Sequence, residues 1–373
     1  MSPLNALEET VVHDVPWWKT SICGPQEIQR FLDAAAGEHI SQGPVTAELE
    51  TRLAAALEVP YAVATTSGSV ALLMALMALG IGRDDEVIVP NRTFIATAHA
   101  PWLLGAKVVL VDAQPESPNM DVAQLERLIT PRTKAIMPVH LNGRAVDMEA
   151  VRALATAHRL LVIEDAAQAL FSRNARGMLG TQSDAGCFSL GVTKLLSTGQ
   201  GGFVVTRRQD VYERLRLIRN HGVDDVLTGS FQQGGFNFKF TDLLAAIGLA
   251  QLARGSERIA HARRVYARYA EALAELPFMR LIPVDVAGGE VPLWIEVLCP
   301  ERATCVEFLA ARGVRTRLFL PDLHRSPHLM NRGEFPHSTR FSQQGLCLPC
   351  GPALSLEQVE RVIDVLQRYR DRS

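Results

Sequence analysis

The sequence predicts an α/β protein whose first two thirds form a parallel sheet with crossover helices and whose last third forms a smaller α+β domain. From residue 60 short apolar runs of strand length alternate with helical segments, which is how a parallel sheet is written in sequence. Runs such as "LLVIED" are almost continuously apolar, as strands covered on both faces are. After residue 206 the alternation stops, and a mostly helical stretch precedes a late strand and a closing helix.

The elements follow in order. "YAVATT" (61–66) reads as the first strand, and "TTSGS" turns it into a helix over 69–80. The apolar run of that helix, "VALLMALMALGIG", falls short of the roughly 20 residues that cross a bilayer and reads as a buried helix. "EVIVP" (86–90) is a strand, "TAHAPWLLG" (97–105) a helix and "KVVLVD" (107–112) a strand. "KAIMPVH" (134–140), helical "DMEAVRALATAHR" (147–159) and "LLVIED" (160–165) continue the rhythm, and "FVVT" (203–206) adds a strand. "RRQDVYERLRLIRNHG" (207–222) and the amphipathic stretch from Thr241 to Leu276 are helical, with "ARGS" around Gly255 as the expected hinge. The chain therefore divides into a large domain, 1–254, and a small one, 255–373, with "VPLWIEVLC" as a strand and "SLEQVERVIDVLQRYR" as the last helix. There is no internal repeat and no low-complexity segment.

Composition narrows the function. At 373 residues and 47% hydrophobic the chain buries a large core, and 38 Lys and Arg against 40 Asp and Glu leave a net charge of −2. No overall field points to nucleic acid or an anionic membrane. The acidic start "MSPLNALEETVVHD" lacks the basic and apolar regions of a signal peptide, so a cytoplasmic protein is expected. Six scattered cysteines suit reduced core thiols better than a disulfide framework, and "CLPC" at 347–350 lacks the second pair that a tetrahedral metal site requires. No metal is expected.

Three features can carry chemistry, each with an ordinary alternative. The hydroxyls and Gly68 of "TTSGS" stand where a strand meets a helix start and favour an anion such as phosphate, although Ser67 or Ser69 alone reads as a helix cap. Glu164 and Asp165 end a buried strand, where a carboxylate needs a partner. That partner is a core arginine, a helix N-terminus, or the protonated ring nitrogen of a cofactor. Lys194, in "FSLGVTKLLSTGQGGFVVT" with Ser189 upstream, is bracketed by apolar residues that would lower its pKa and make it a nucleophile toward carbonyls. Alone it reads as a surface or salt-bridge lysine. Together the phosphate cradle, ring-nitrogen carboxylate and Schiff-base lysine specify pyridoxal phosphate. A dinucleotide reading of "GQGG" fails because those glycines precede a strand rather than opening a helix.

From "GPQEIQRFLDAA" at 24 to "CLPCGPALS", the chain resembles the DegT/StrS family of sugar aminotransferases. The resemblance rests on ordered motifs that include "SGSVALLMAL", "DEVIVPNRTFIATAHA", "ITPRTKAIMPVHLNGRAVDM", "IEDAAQA", "CFSLGVTK", "GQGGFVVT", "RNHG" and "GFNFKFTDLLAAIGLAQL". It implies the fold type I of pyridoxal-phosphate-dependent transferases, with a mainly parallel mixed sheet flanked by helices and a small C-terminal α+β domain. It also implies a homodimer with shared active sites. Lys194 would form the internal aldimine and shuttle the proton, and Asp165 would hold the pyridinium charge. Gln168 would contact the ring or its phenolic oxygen, Ser67, Gly68, Ser69 and Ser189 would bind phosphate, and Phe94 would stack on the ring. Asn237 would reach the phosphate of the neighbouring subunit's cofactor.

The implied reaction is ping-pong: glutamate leaves its amine on the cofactor as pyridoxamine phosphate and departs as 2-oxoglutarate. The amine then passes to a nucleotide-linked keto-deoxysugar, a 4-keto-6-deoxyhexose. In "RGVRTRLFLPDLHRSPH" (312–328), Arg315, Arg317, His324 and Arg325 are candidates for the site mouth. The resemblance selects Arg317 for the substrate diphosphate, and His324 is the second substrate-binding candidate. A cyclitol aminotransferase and a non-catalytic cofactor-binding regulator share the motifs, whereas a dehydratase relative would replace the lysine. Ser69, Gln200 and Asn142 depart from the Thr, acidic residue and aromatic usual in the family, and 170–184 is less glycine-rich than usual.

Overall fold

The computed structural model describes residues 14–227, 229–331 and 333–370. Two helices, α1 (Pro25–Ala36) and α2 (Pro44–Ala56), lead into β1 (Tyr61–Thr65). There follow α3 (Gly68–Ala78), β2 (Glu86–Pro90), α4 (Ala96–Leu103), β3 (Lys107–Val111), β4 (Thr133–Ile136), α5 (Met148–His158) and β5 (Leu161–Asp165). A small hairpin, β6 (Arg173–Asn174) and β7 (Gly177–Met178), precedes β8 (Ala185–Ser189), β9 (Gly202–Thr206) and α6 (Gln209–Arg219).

Seven of these strands form one sheet in the order β1-β9-β8-β5-β4-β2-β3. The pairs β2–β3, β2–β4, β4–β5 and β5–β8 are parallel. β9 runs antiparallel to both β1 and β8, so the sheet is mixed, as the family resemblance implied and as the alternation of strands and helices alone did not. The reason is local: the loop 190–201 that joins β8 to β9 holds no crossover helix and doubles back. As a result the ends of β1, β2, β5 and β8 and the start of β9 meet along one edge.

The apolar patterns explain the layers. β2 is buried at every position, and the helix α3, apolar on all sides, buries Leu72, Met74, Ala75 and Leu76 between the sheet and neighbouring helices. α5 begins at Asp147, whose side chain accepts the Ala150 N–H at 3.0 Å. The expected strand over 134–140 is paired only to Ile136, apart from a single bridge between Val139 and Asp165. β8 was not anticipated, because "AGCFS" has little strand character. Its Gly186 passes so close to the chain at Gly180 that a Cβ would lie 1.7 Å from the Gly180 carbonyl oxygen.

The amphipathic stretch from Thr241 is two helices, α7 (Asp242–Ala253) and α8 (Gly255–Leu273), broken at Arg254. Beyond them lie β10 (Arg280–Leu281), β11 (Ile295–Leu298), α9 (Arg302–Ala310), β12 (Arg317–Leu318), α10 (Pro336–Gln344), β13 (Gly345–Leu348) and α11 (Leu356–Arg370). The four short strands form an antiparallel sheet in the order β10-β11-β13-β12. Tyr269 of α8, Val297 of β11, Leu348 of β13 and Leu366 of α11 share its core. The N-terminal segment joins this part, Val15 bridging to Val314 and Trp18 to Cys350. Among the described residues no helix is long and apolar enough to cross a membrane.

Candidate active site

A cavity of about 380 Å³ opens where the carboxyl edge of the large sheet faces β11–β13. Ser67, Gly68 and Ser69 after β1, Phe94 after β2, Asp165 at the end of β5, Gln168, Ser189 and Lys194 all line it, and Arg317 of β12 closes it from the other side. A wider groove of about 670 Å³ lies at the opposite edge of the sheet and contains none of these residues. Its Arg208 is paired with Asp184 and Asp210, and its Arg176 with Glu149.

One end of the cavity suits an anion. The Ser67 hydroxyl accepts the Val70 N–H at 3.2 Å and starts α3 at Gly68, which leaves the Gly68 and Ser69 N–H groups without an acceptor among the described residues. Ser189 packs directly against this turn: a Cβ on Gly68 would sit 2.8 Å from that of Ser189. Free N–H groups, the positive helix end and two or three hydroxyls converge here.

The two carboxylates at the end of β5 have different fates. Glu164 is saturated: its oxygens accept from Gly180 N at 2.8 Å, Gln182 N at 2.7 Å, the Ser183 hydroxyl at 2.8 Å and His140 Nε2 at 2.9 Å. Because His140 Nδ1 accepts the Val146 N–H, the ring proton sits on Nε2 and points at Glu164. Glu164 therefore pins the 180–183 turn and is structural. Asp165, 5% exposed, accepts only the Thr97 hydroxyl at 2.7 Å and the Ala167 N–H at 3.1 Å. No cationic side chain lies within salt-bridge distance of it among the described residues. Burial pushes its carboxyl pKa up, and the Thr97 and Ala167 hydrogen bonds and the Lys194 charge oppose that rise. Among the described residues neither a core arginine nor a helix terminus pairs with it, so its charge stays open to a cation in the cavity.

Lys194 faces the same space. Burial lowers its pKa from 10.5 to about 8, with Asp165 pulling it up and Arg317 pushing it further down. Its Nζ lies 5.5 Å from the centre of the Trp294 ring. The Arg317 guanidinium lies 4.7 Å from the Trp17 ring centre and 5.4 Å from that of Trp294, two rings that meet edge to face, so Lys194 and Arg317 share one aromatic wall. Asn142 fixes that wall: its side chain donates to the Trp294 carbonyl at 3.0 Å and accepts the Trp294 N–H at 2.5 Å. Its own N–H donates to Gln168 Oε1 at 2.9 Å. Asn142 has φ of 54°, a left-handed conformation that asparagine tolerates better than most residues.

Of the remaining candidates, Phe94 lines the cavity and the others lie outside it. Phe94 is 52% exposed, its ring open to the cavity. Asn237 is exposed, bridges to Asn220 and does not line this chain's cavity. His324 is held by Asn91, whose Oδ1 accepts the His324 N–H at 2.8 Å, and stacks on Phe335 outside the cavity. Arg315 pairs with Asp14, and Arg325 is exposed. Sequence reasoning passed over Trp294, Phe319 and Arg92, all of which line the cavity. None was singled out in its own run, and the contact between the two sheets exposes its role.

The residues present fit pyridoxal phosphate: an anion cradle for the phosphate, an unpaired buried carboxylate for a cationic ring nitrogen, and an amine near neutrality for the aldehyde. Comparison with known proteins agrees. A GDP-perosamine synthase of Caulobacter vibrioides is 38% identical over 88% of this chain and 91% of its own length. The dTDP-3-amino-3,4,6-trideoxy-alpha-D-glucose transaminase of Streptomyces venezuelae is 36% identical, covering 93% of this chain and 94% of that protein. The crystal structure of S. venezuelae DesV in complex with a ketimine intermediate superposes with a TM-score of 0.88 at 35% identity, over 93% of this chain and 95% of that one. The fold is thus that of the type I pyridoxal-phosphate-dependent transferases. Residues 22–367 match the DegT/DnrJ/EryC1/StrS aminotransferase family, and the chain belongs to that family of enzymes.

Proposed function

We propose that this aminotransferase moves an amino group from glutamate to a nucleotide-linked keto-deoxysugar, a 4-keto-6-deoxyhexose, in a ping-pong cycle on pyridoxal phosphate. The observation that carries the reading is the pairing across one cavity of a buried Asp165, which forms no salt bridge among the described residues, with the lowered-pKa amine of Lys194. The sugar-nucleotide class is supported by the relatives, one named for a GDP-linked and one for a dTDP-linked sugar.

Bound pyridoxal phosphate supplies the electron sink that stabilises negative charge on the carbon bearing nitrogen. The chain's own residues do the rest. Ser67, Ser69, Ser189 and the first N–H groups of α3 bind the phosphate. Asp165 holds the proton on the ring nitrogen, oriented by Thr97 and Ala167 N. Lys194 Nζ takes a proton from the substrate carbon and returns it, and Trp294 shields that amine from water. Phe94 covers the ring face, and Gln168, anchored by Asn142 N, contacts its edge. Exposed Asn237 serves the cofactor of a partner subunit in a cytoplasmic homodimer. Residues 1–254 act as the cofactor-binding domain and 255–373 as the small domain.

The test is to incubate the purified protein with pyridoxal phosphate, glutamate and GDP- or dTDP-linked 4-keto-6-deoxyhexose. Mass spectrometry should show the aminated sugar nucleotide, and a coupled assay should show 2-oxoglutarate. Amination of a keto-inositol in place of every nucleotide sugar would move the enzyme to the cyclitol class. No amine transfer from glutamate to either would leave a cofactor-binding regulator.

A further inference from the structure

The cavity wall at β12 is met by two guanidinium groups that form no ion pair among the described residues. Arg317 forms no ion pair among the described residues and lies against the Trp17 and Trp294 rings. Arg92, in the turn after β2, is 8% exposed and reaches across to the same strand. Its guanidinium lies 4.4 Å over the Phe319 ring and donates through Nη1 to the Leu320 carbonyl at 2.6 Å, while its buried Nε has no hydrogen-bond partner. Glu296 and Asp322 favour its charged form from a distance, but neither is a direct partner. Glu296, also on the cavity wall, is engaged by Arg144 at 2.6 Å, and Asp322 makes no ion pair with Arg92 within 4.0 Å.

Strand register brings the two arginines together. Arg317 pairs with Cys347, and the strand geometry continues to Phe319, whose N–H donates to the Gly345 carbonyl at 3.2 Å. Residues 317 and 319 therefore project from the same face of the strand, about 7 Å apart along it. That face lines the cavity, so the guanidinium stacked on Phe319 and the one at 317 border one space. Planar guanidinium groups bind carboxylates in two-point fashion, and stacking on aromatic rings fixes their planes in advance.

We propose that Arg317 and Arg92 form a clamp for a short dicarboxylate amino donor of the glutamate class. Arg317 takes the carboxylate beside the reacting carbon and Arg92 takes the distal one. The assignment rests on the aminotransferase reading above. It moves Arg317 from the remote diphosphate to the reacting centre, because Arg317 shares the Trp294 face with the Lys194 amine. A monocarboxylate donor would leave Arg92 unused, so the clamp selects the donor and not the sugar.

The experiment measures binding without turnover. Calorimetric titration of the cofactor-loaded protein with glutarate and with pentanoate compares a diacid with a monoacid of the same length. The wild type should prefer glutarate by about tenfold or more, the worth of a charged hydrogen-bonded pair. Arg92→Gln should erase that preference while leaving pentanoate affinity within about twofold, and Arg92→Lys should keep part of it. Arg317→Gln should weaken both acids. If Arg92→Gln weakens both acids equally, Arg92 is only a strut to Leu320. If it weakens neither, the distal carboxylate lies elsewhere. Either result overturns the clamp. Amination of the nucleotide sugar is scored separately: its success with an unchanged glutarate preference in Arg92→Gln sinks the clamp alone. A lost preference with no sugar aminated by the wild type sinks the sugar reading alone.

Discussion

Asp165 and Ser189 stand at strand ends of the seven-stranded sheet and Lys194 in the loop after β8, while Trp294, Arg317 and Phe319 reach the same cavity from the side of the four-stranded sheet. The first group is held mostly by neighbours close in sequence, Ala167 N for Asp165, Gly191 N on the Ser189 hydroxyl and the Gly191 carbonyl on Lys194 N, with Thr97 as a distant partner of Asp165. The second is held by partners far along the chain, Asn142 for Trp294 and Trp17 for Arg317. The floor therefore carries chemistry that motifs can encode, and the wall carries selectivity that only tertiary contact creates. Substitutions should divide along the same line, the floor acting on every substrate and the wall on one.

Lys194→Ala breaks the floor most severely. It removes the only amine placed to move the substrate proton, so steady-state turnover should vanish with either half-reaction while the fold, followed by thermal unfolding, persists. Turnover at the wild-type rate would dissolve the distinction between floor and wall. Asp165→Asn should follow, with a loss of about a thousandfold in kcat, because the ring nitrogen loses its anionic partner. A loss below about tenfold would place that partner elsewhere.

Thr97→Val sharpens the comparison within the floor. The Thr97 hydroxyl has one proton, and Thr93 Oγ1 lies 3.0 Å behind it, able to donate to Thr97 as Thr97 donates to Asp165. Without that donor the burial of Asp165 goes less opposed and its pKa rises further. The proton held at the ring nitrogen then weakens, so kcat should fall roughly ten- to hundredfold. The pH dependence of the bound cofactor's absorbance should shift with it, and Thr97→Ser should restore both. A loss of stability with an unshifted pH profile would make Thr97 a packing residue.

Asn142→Leu tests the wall. Removing two hydrogen bonds to the Trp294 backbone should cost about 1–3 kcal/mol of stability by calorimetry. It should also raise KM more than it lowers kcat, since Lys194 and Asp165 keep their own supports.

The same division explains what could be read in advance. "TTSGS", "IEDAAQA" and "CFSLGVTK" each pack a site residue with the local groups that orient it, so Ser67, Asp165 and Lys194 were visible before any fold. β8 was not, because Gly186 answers to a close approach of the chain at Gly180 rather than to strand propensity. β9 could not be assigned its direction, since "FVVT" has the same pattern whichever way it runs. Trp294 lay in "VPLWIEVLC", legible only as a strand, and its ring lines the cavity. Arg92 lay in a motif from which only Phe94 stood out, and its guanidinium lies over the Phe319 ring.

The smallest expected effect is in pH. A neutral Lys194 amine is needed to capture the cofactor aldehyde, and its pKa is lowered, so the protonated, unreactive form is lost as pH rises through about 8. The capture rate of the cofactor-free protein should climb to about pH 8 and then level. A climb that continues toward 10.5, the value of an unperturbed lysine, would mean that burial does not act on this amine.

The pairing of Lys194 with Asp165 across one cavity is tested most directly by covalent trapping. The cofactor-loaded protein is reduced with borohydride, digested and mapped by mass spectrometry, in the wild type and in Asp165→Asn. The pyridoxyl mass should fall on the peptide carrying Lys194 in both, with cofactor held more weakly in the variant. Label on any other lysine, or none on Lys194, would contradict the site described here.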